Sequence, residues 1–413
     1  MAKGKPNNKN NNLNNKKYGI LLKRKRLEMK KTLEEVSKGV CTVSYLSRIE
    51  NNMVDVDESY FFSLFKKLNM DFNLIKEEKE NELFTELFKC YLQENDDLAS
   101  SLISNAIKTT FYSELEYELM MLYDNIIRGL YKEALKQIVD LNNKVDLFLE
   151  TELTFYLFLT ALYTLRTSQV LIAYRQIIVL CETTQTNPVY RYAIYDLALD
   201  IFEYIGATEL FSKYYYLLNN DKYSTIYPKS FLKHQAQNLY HEQYLKKDEV
   251  LMLLEEILDS SSGRCKEEVE WQILKTYYRN KEYHICLKII EQLKSTPKLL
   301  ALESLIVLRQ NDYLLLNRLE ERRKNTTFRV SDECFELMYL VCIQIIKYQD
   351  YRSAFDLFKK LLMIQNNQTY LNFLFEEQLI LFIEIATKCG KYKDALRITL
   401  NILKDKKLFP YFL

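Results

Sequence analysis

Glycine and proline are scarce: 7 and 5 in 413 residues, about a quarter of ordinary usage. So few turn residues cannot supply the breaks of a β-sandwich or barrel, nor the glycine fingerprint of a dinucleotide-binding fold. There is one tryptophan and there are three histidines. His234 and His241 are seven apart and could share a helix face, but with no evident third ligand they do not suggest a metal site. No GxSxG, HExxH or phosphate-cradling glycine loop occurs, so no catalytic residue, metal or cofactor is expected, and the chain does not read as an enzyme. The eight cysteines form no CxxC pair, which suggests reduced, mostly buried thiols rather than a disulfide framework or zinc site.

Long apolar runs are also absent. The longest, Leu153 to Leu165, is 13 residues between Glu152 and Arg166, too short to span a bilayer and suited to a buried helix. No apolar run in the first 17 residues could act as a signal-peptide core, so a cytoplasmic location is expected. What is present is 48% hydrophobic residues and nearly balanced charge, in a chain long enough for two or three domains. With the breakers missing, this points to an all-α protein.

The charge is unevenly distributed. Residues 1–69 hold 15 Lys/Arg and 7 Asp/Glu, net +8, and the remaining 42 and 49 give −7. Residues 1–17 hold seven Asn, five Lys and no acid, and read as a disordered arm. A helix is expected from Tyr18 to Met29, carrying Lys23-Arg24-Lys25-Arg26. Thr32 can cap a short helix, Leu33 to Lys38, with Glu34 and Glu35 in its first turn. Gly39 interrupts, and a second short helix follows within Val40 to Asn51. Val36, Val40, Leu46 and Ile49 can form the small core between them, leaving Thr42, Val43, Ser44, Tyr45, Ser47 and Arg48 outward. Helix, glycine turn and helix inside a basic segment is the helix-turn-helix pattern of DNA-binding proteins.

Residues 18–75, and VCTVSYLSRIENN above all, resemble the Xre/Cro-type helix-turn-helix of bacterial repressors. The resemblance implies five helices, the others being Tyr18 to Met29, Glu58 to Leu68 and one beginning near Asn73. It also implies that the second short helix enters the major groove, with Val43, Ser44 and Arg48 at base edges and Thr42 and Tyr45 near phosphates. Arg48 suits both acceptors of a guanine, and Lys23 and Lys25 would add phosphate contacts. The family pairs a helix-1 arginine with the glutamate closing the recognition helix, here Arg26 and Glu50. Two positions depart from its pattern: Leu33 stands where it usually has Gln, and no proline follows the recognition helix.

Beyond Asn73 helical periodicity is almost unbroken, and a phrase recurs: a turn residue, an aromatic, two residues, then a small residue and leucine. It reads Gly129-Leu130-Tyr131-Lys132-Glu133-Ala134-Leu135 and Gly390-Lys391-Tyr392-Lys393-Asp394-Ala395-Leu396. Weaker copies place the small-residue position at Ala134, Ala173, Leu210, Leu251, Cys286, Leu316, Ala354 and Ala395, with a further copy around Ser100. The spacing is near that of tetratricopeptide (TPR) repeats. These segments resemble degenerate TPR hairpins, which implies a right-handed superhelix whose inner face binds a ligand. Ordinary TPR spacing puts Phe155, Phe158, Tyr192, Tyr195, Tyr240, Trp271, Lys275, Tyr278 and Tyr339 toward that face, with Gln235, Asn238 and Lys275 able to bond a peptide backbone or carboxylate.

A helix-turn-helix joined to a TPR array resembles the RRNPP regulators of Gram-positive bacteria, the PlcR, Rgg, ComR and PrgX type. The resemblance implies an arm at 1–17, a DNA-binding domain at 18–75 and a peptide-binding and dimerisation domain at 76–413. It implies a homodimeric transcription regulator with two partners, a double-stranded DNA operator and a short signalling peptide. The segment Leu361 to Phe382 is a candidate dimer surface. A TPR adaptor for a protein partner and a peptide-independent repressor of a mobile element are the alternatives.

Overall fold

A computed structural model describes residues 8–73, 82–109, 113–167, 169–183, 187–205, 207–241, 246–311, 313–328, 332–367 and 375–405. Among them there are helices and turns and no strand. Two compact units form: residues 1–90 with 95–160, and residues 91–94 with 161–413. The expected division near residue 75 thus differs from the division by compactness, because the helix-turn-helix packs into one body with the hairpins that follow it.

The first unit opens with α1 (Asn8–Glu28), α2 (Leu33–Ser37), α3 (Val43–Glu50) and α4 (Glu58–Lys67). Helix α1 begins ten residues ahead of Tyr18, so most of the expected disordered arm is helical. Extending an existing helix fixes one residue per hydrogen bond, and no Gly or Pro lies between Asn8 and Tyr18 to stop it. Thr32 caps α2 in a reciprocal box: its hydroxyl accepts from Glu35 N, and its own N–H donates to the Glu35 carboxylate. The turn into α3 passes through Gly39 at φ +77°, a left-handed position that favours glycine. Val36, Leu46 and Ile49 are fully buried, with Val40 partly so, joined by a ring cluster of Tyr18, Phe61, Phe65 and Phe72. Gly19 lets α1 approach the end of α3: a Cβ there would stand 2.5 Å from the Ile49 carbonyl oxygen and 2.5 Å from Asn52 Oδ1. The fifth helix, expected from near Asn73, lies outside the described residues from 74 onward.

Helical hairpins follow: α5 (Glu82–Leu92) with α6 (Asp96–Thr109), α7 (Glu114–Ile127) with α8 (Tyr131–Asn142), and then α9 (Glu150–Arg166), which begins in the first unit and ends in the second. The second unit continues through α10 (Val170–Glu182), α11 (Pro188–Ile205), α12 (Thr208–Asn219), the single turn α13 (Tyr223–Ile226), α14 (Pro228–His241) and α15 (Lys247–Ser260). It closes with α16 (Gly263–Arg279), α17 (Tyr283–Gln292), α18 (Pro297–Gln310), α19 (Leu316–Lys324), α20 (Glu333–Tyr348), α21 (Tyr351–Asn367), α22 (Phe375–Lys388) and α23 (Tyr392–Asp405).

The repeat rule is sharper in the structure than in the sequence. The fourth residue of each hairpin's second helix is buried: Ala99, Ala134, Ala173, Phe211, Val250, Cys286, Leu319, Ala354 and Ala395. The copy sought around Ser100 is the one at Ala99. Three sequence assignments shift, from Leu210 to Phe211, from Leu251 to Val250 and from Leu316 to Leu319. In these copies a large residue fills the position, so the small side chain that marks the register is missing. The two ends of the proposed dimer segment, Leu361 and Phe382, are buried in their own cluster with Ile385 rather than open to a partner. Residues 368–374 of that segment lie outside the described residues.

Candidate functional site

On α3 the burial pattern divides readers from core. Leu46, Ile49 and Glu50 face inward, whereas Thr42, Val43, Ser44 and Arg48 are exposed and Tyr45 is half-buried against Tyr60, with ring centroids 5.7 Å apart. Thr42 is the N-cap, its hydroxyl oxygen accepting from Tyr45 N at 3.2 Å. The helix is braced at its far end. Arg26 grips Glu50 through two bonds, Nε to Oε1 at 2.7 Å and Nη2 to Oε2 at 2.8 Å, and donates to the Lys31 carbonyl at 3.0 Å. The Glu50 hydrogen bond raises the guanidinium's proton affinity despite burial, so Arg26 stays charged. This is the pair implied for Arg26 and Glu50.

The basic run on α1 has a more structural role than expected. Arg24 is almost fully buried and binds Glu152 at the start of α9, Nη1 to Oε1 at 3.1 Å and Nη2 to Oε2 at 2.5 Å, with a further bond from Nη2 to the Leu147 carbonyl at 2.6 Å. Lys23 is turned to the same region. Its ammonium pairs with Asp146 in the short turn Val145–Leu147 and lies 3.4 Å from Asn51 Oδ1. That corrects its assignment to phosphate, because the Asp146 carboxylate already claims the charge. Lys25 is more open, paired among the described residues with neighbouring Glu28 at 3.3 Å.

In the second unit the first helices of successive hairpins face one another through charge. Asp196, Asp200 and Glu203 lie along one side of α11, at the i, i+4, i+7 positions of a helical stripe. His234 on α14 bonds Asp196 through Nε2 and Gln237 Oε1 through Nδ1, both at 2.7 Å, and Lys233 reaches Asp200 at 2.9 Å. His241 meets Glu203 at 2.5 Å, and Lys275 on α16 meets the same carboxylate at 2.9 Å. Burial pushes Glu203 up, but Lys275 and the His241 bond outweigh it and hold the carboxyl well below the usual range. Lys233 and His234 do the same for Asp196. The two histidines thus go to separate acids and do not converge on one point.

The residues proposed for a peptide divide three ways. Tyr240 and Lys275 come together, Lys275 Nζ lying 4.0 Å from the Tyr240 ring centroid, while Trp271 is covered by Lys298 at 3.8 Å. Gln235 and Asn238 are half-buried on α14. Tyr195 and Tyr278 instead pack inside their own hairpins, edge-on to Tyr214 of α12 and tilted against Tyr283 of α17. Lys275 is buried and neutralised by Glu203, so its assignment to a peptide carboxylate is corrected. Phe155, Phe158, Tyr192 and Tyr339 are core: Phe155 stacks on Phe84, Phe158 meets Phe88 edge-on, Tyr192 lies against Tyr227, and Tyr339 of α20 is buried in a cluster with Leu337 and Cys342. Lys298 is the residue sequence reasoning missed. Its signal was a lysine in the first turn of a helix, where the dipole favours an acid.

Residues 22–75 match a family model described as helix-turn-helix. The sequence matches no curated protein. Among solved structures it is similar to PlcR of Bacillus thuringiensis in complex with the peptide PapR7 and DNA, at 13% identity over 85% of this chain and 95% of that one, with a TM-score of 0.16.

Proposed function

We propose that the chain is a transcription regulator that reads duplex DNA with α3 and binds a short peptide on the face shared by the first helices of its second unit. The observation that carries the reading is the division on α3: one side is locked into the core and to Arg26, and the other presents Val43, Ser44 and Arg48 to solvent within a segment matching the helix-turn-helix family. Val43, Ser44 and Arg48 meet base edges in the major groove, Thr42 and Tyr45 approach phosphates, and Lys25 adds charge from α1. A homodimer would set two copies of α3 at half-sites one helical turn apart. Peptide binding acts on the DNA only so far as the peptide prefers one arrangement of the protein. Support for the peptide is the pairing of Lys298 with Trp271, together with the resemblance to RRNPP regulators.

The test is selection of duplexes from a randomised pool with the full chain, followed by titration of the enriched site. Arg48→Ala should cost about 1–3 kcal/mol of discrimination at one base pair, whereas Lys25→Ala should weaken all sequences alike and reduce the salt slope by about one. Equal affinity for enriched and scrambled duplexes would sink the DNA reading. A panel of synthetic peptides that leaves duplex affinity unchanged at saturation would sink the coupling.

A further inference from the structure

On the face shared by α11, α14, α16 and α18, Lys233 and Lys275 are answered by acids and Lys298 is not. Lys233 is held by Asp200 and Lys275 by Glu203, each at 2.9 Å. Lys298, half-buried on the first turn of α18, has no carboxylate within ion-pairing distance among the described residues and rests on the Trp271 ring, 3.8 Å from its centroid. The charged groups that face it are already engaged. Glu203 on α11 holds Lys275 and His241, and Glu268 on α16 takes the Gln272 amide. Glu267 on α16 adds a more distant field, and Lys275 repels it. A second group is also unsatisfied: Gln272, fully buried and bonded through its amide to Glu268, leaves its Oε1 without a donor among the described residues.

A cation taken out of water and given only an aromatic face retains most of its attraction for an anion, and in such surroundings a charge-assisted hydrogen bond is worth more than at a wet surface. We infer that Lys298, seated on Trp271, anchors a carboxylate of the bound peptide. The inference rests on the peptide reading above and narrows it to ligands that carry a carboxylate at the C-terminus or on an Asp or Glu side chain. Burial draws the lysine down to about 8 although Glu268, Glu203 and Glu267 oppose it. The anchor is therefore charged below that pH and is lost as pH rises through it, except in so far as the bound carboxylate itself holds the proton on.

Trp271, the chain's single tryptophan, reports directly on its neighbour. The full chain would be titrated, following Trp271 fluorescence, with acetyl-trileucine as the free acid, the same peptide as its amide, acetyl-Leu-Glu-Leu amide, and acetate against chloride at matched ionic strength. At neutral pH at least one carboxylate peptide should bind about tenfold or more tighter than the neutral amide. Which one binds tells a terminal from a side-chain carboxylate. Lys298→Gln and a shift to about pH 10 should each abolish the difference, and Lys298→Arg should restore it and carry it to higher pH. Equal binding of acid and amide, or discrimination that survives in Lys298→Gln, would overturn the anchor while leaving a peptide site standing. A Lys298-dependent response to acetate with no peptide bound would keep the anion site and overturn the peptide reading. Silence from every probe would overturn both.

Discussion

The helix-turn-helix and the second unit place their charges in opposite ways. In the first, ion pairs hold the frame: Arg26 with Glu50 and Arg24 with Glu152 are tied down, and Arg48, Ser44 and Val43 are left free on the open side of α3. In the second, ion pairs occupy the face itself, three acids of α11 gathering Lys233, His234, His241 and Lys275 and leaving Lys298 over. A recognition surface is thus not located by counting charged residues. It is located by asking which charges remain after the protein has answered its own.

The largest effect expected from breaking this contrast is at Arg24. Arg24→Ala strands Glu152 without a partner in the interior and should cost about 3–5 kcal/mol, with faster hydrogen exchange in both α1 and the start of α9. Arg24→Met with Glu152→Leu should recover most of it, since the net worth of a buried pair is small. Glu203→Gln tests the second unit. It leaves Lys275 with a neutral partner and should cost about 3 kcal/mol at neutral pH in urea unfolding. Because the folded protein holds Glu203 below its ordinary range, its stabilisation is complete above that range and is lost as pH falls through and below it. The variant should therefore show a shallower loss of stability on acidification than the parent. Gly19→Ala drives a methyl against the Ile49 carbonyl and should cost about 1–3 kcal/mol, read by thermal unfolding, with the DNA affinity of the folded fraction reduced because α1 and α3 must part. Thr32→Ala removes only the α2 cap and should cost about 1 kcal/mol.

The helical fold and the helix-turn-helix were legible because they are written locally. Caps at Thr32 and Thr42, a glycine at 39 and apolar positions at Val36, Leu46 and Ile49 all lie within twenty residues of one another. The hairpin array was legible where Ala or Cys fills the crossing point and slipped where Phe211, Val250 or Leu319 does, since a large buried residue resembles any other core position. The proposed ligand face was least legible. Helical spacing gives the side on which Tyr195, Tyr278 or Phe155 emerges but not which neighbour covers it. Whether Lys275 is free depends on Glu203, 72 residues away. Lys23 and Lys25 are close neighbours in the chain, and only the fold tells that Asp146 captures the first and not the second.

Arg24 and Glu152 stand 128 positions apart in the chain yet form one buried unit. Neither can drift alone without leaving an orphaned charge, so the two codons are bound to a common fate. In any set of descendants of this gene the pair should persist together or be replaced together by apolar residues, and lineages carrying one half should be rare.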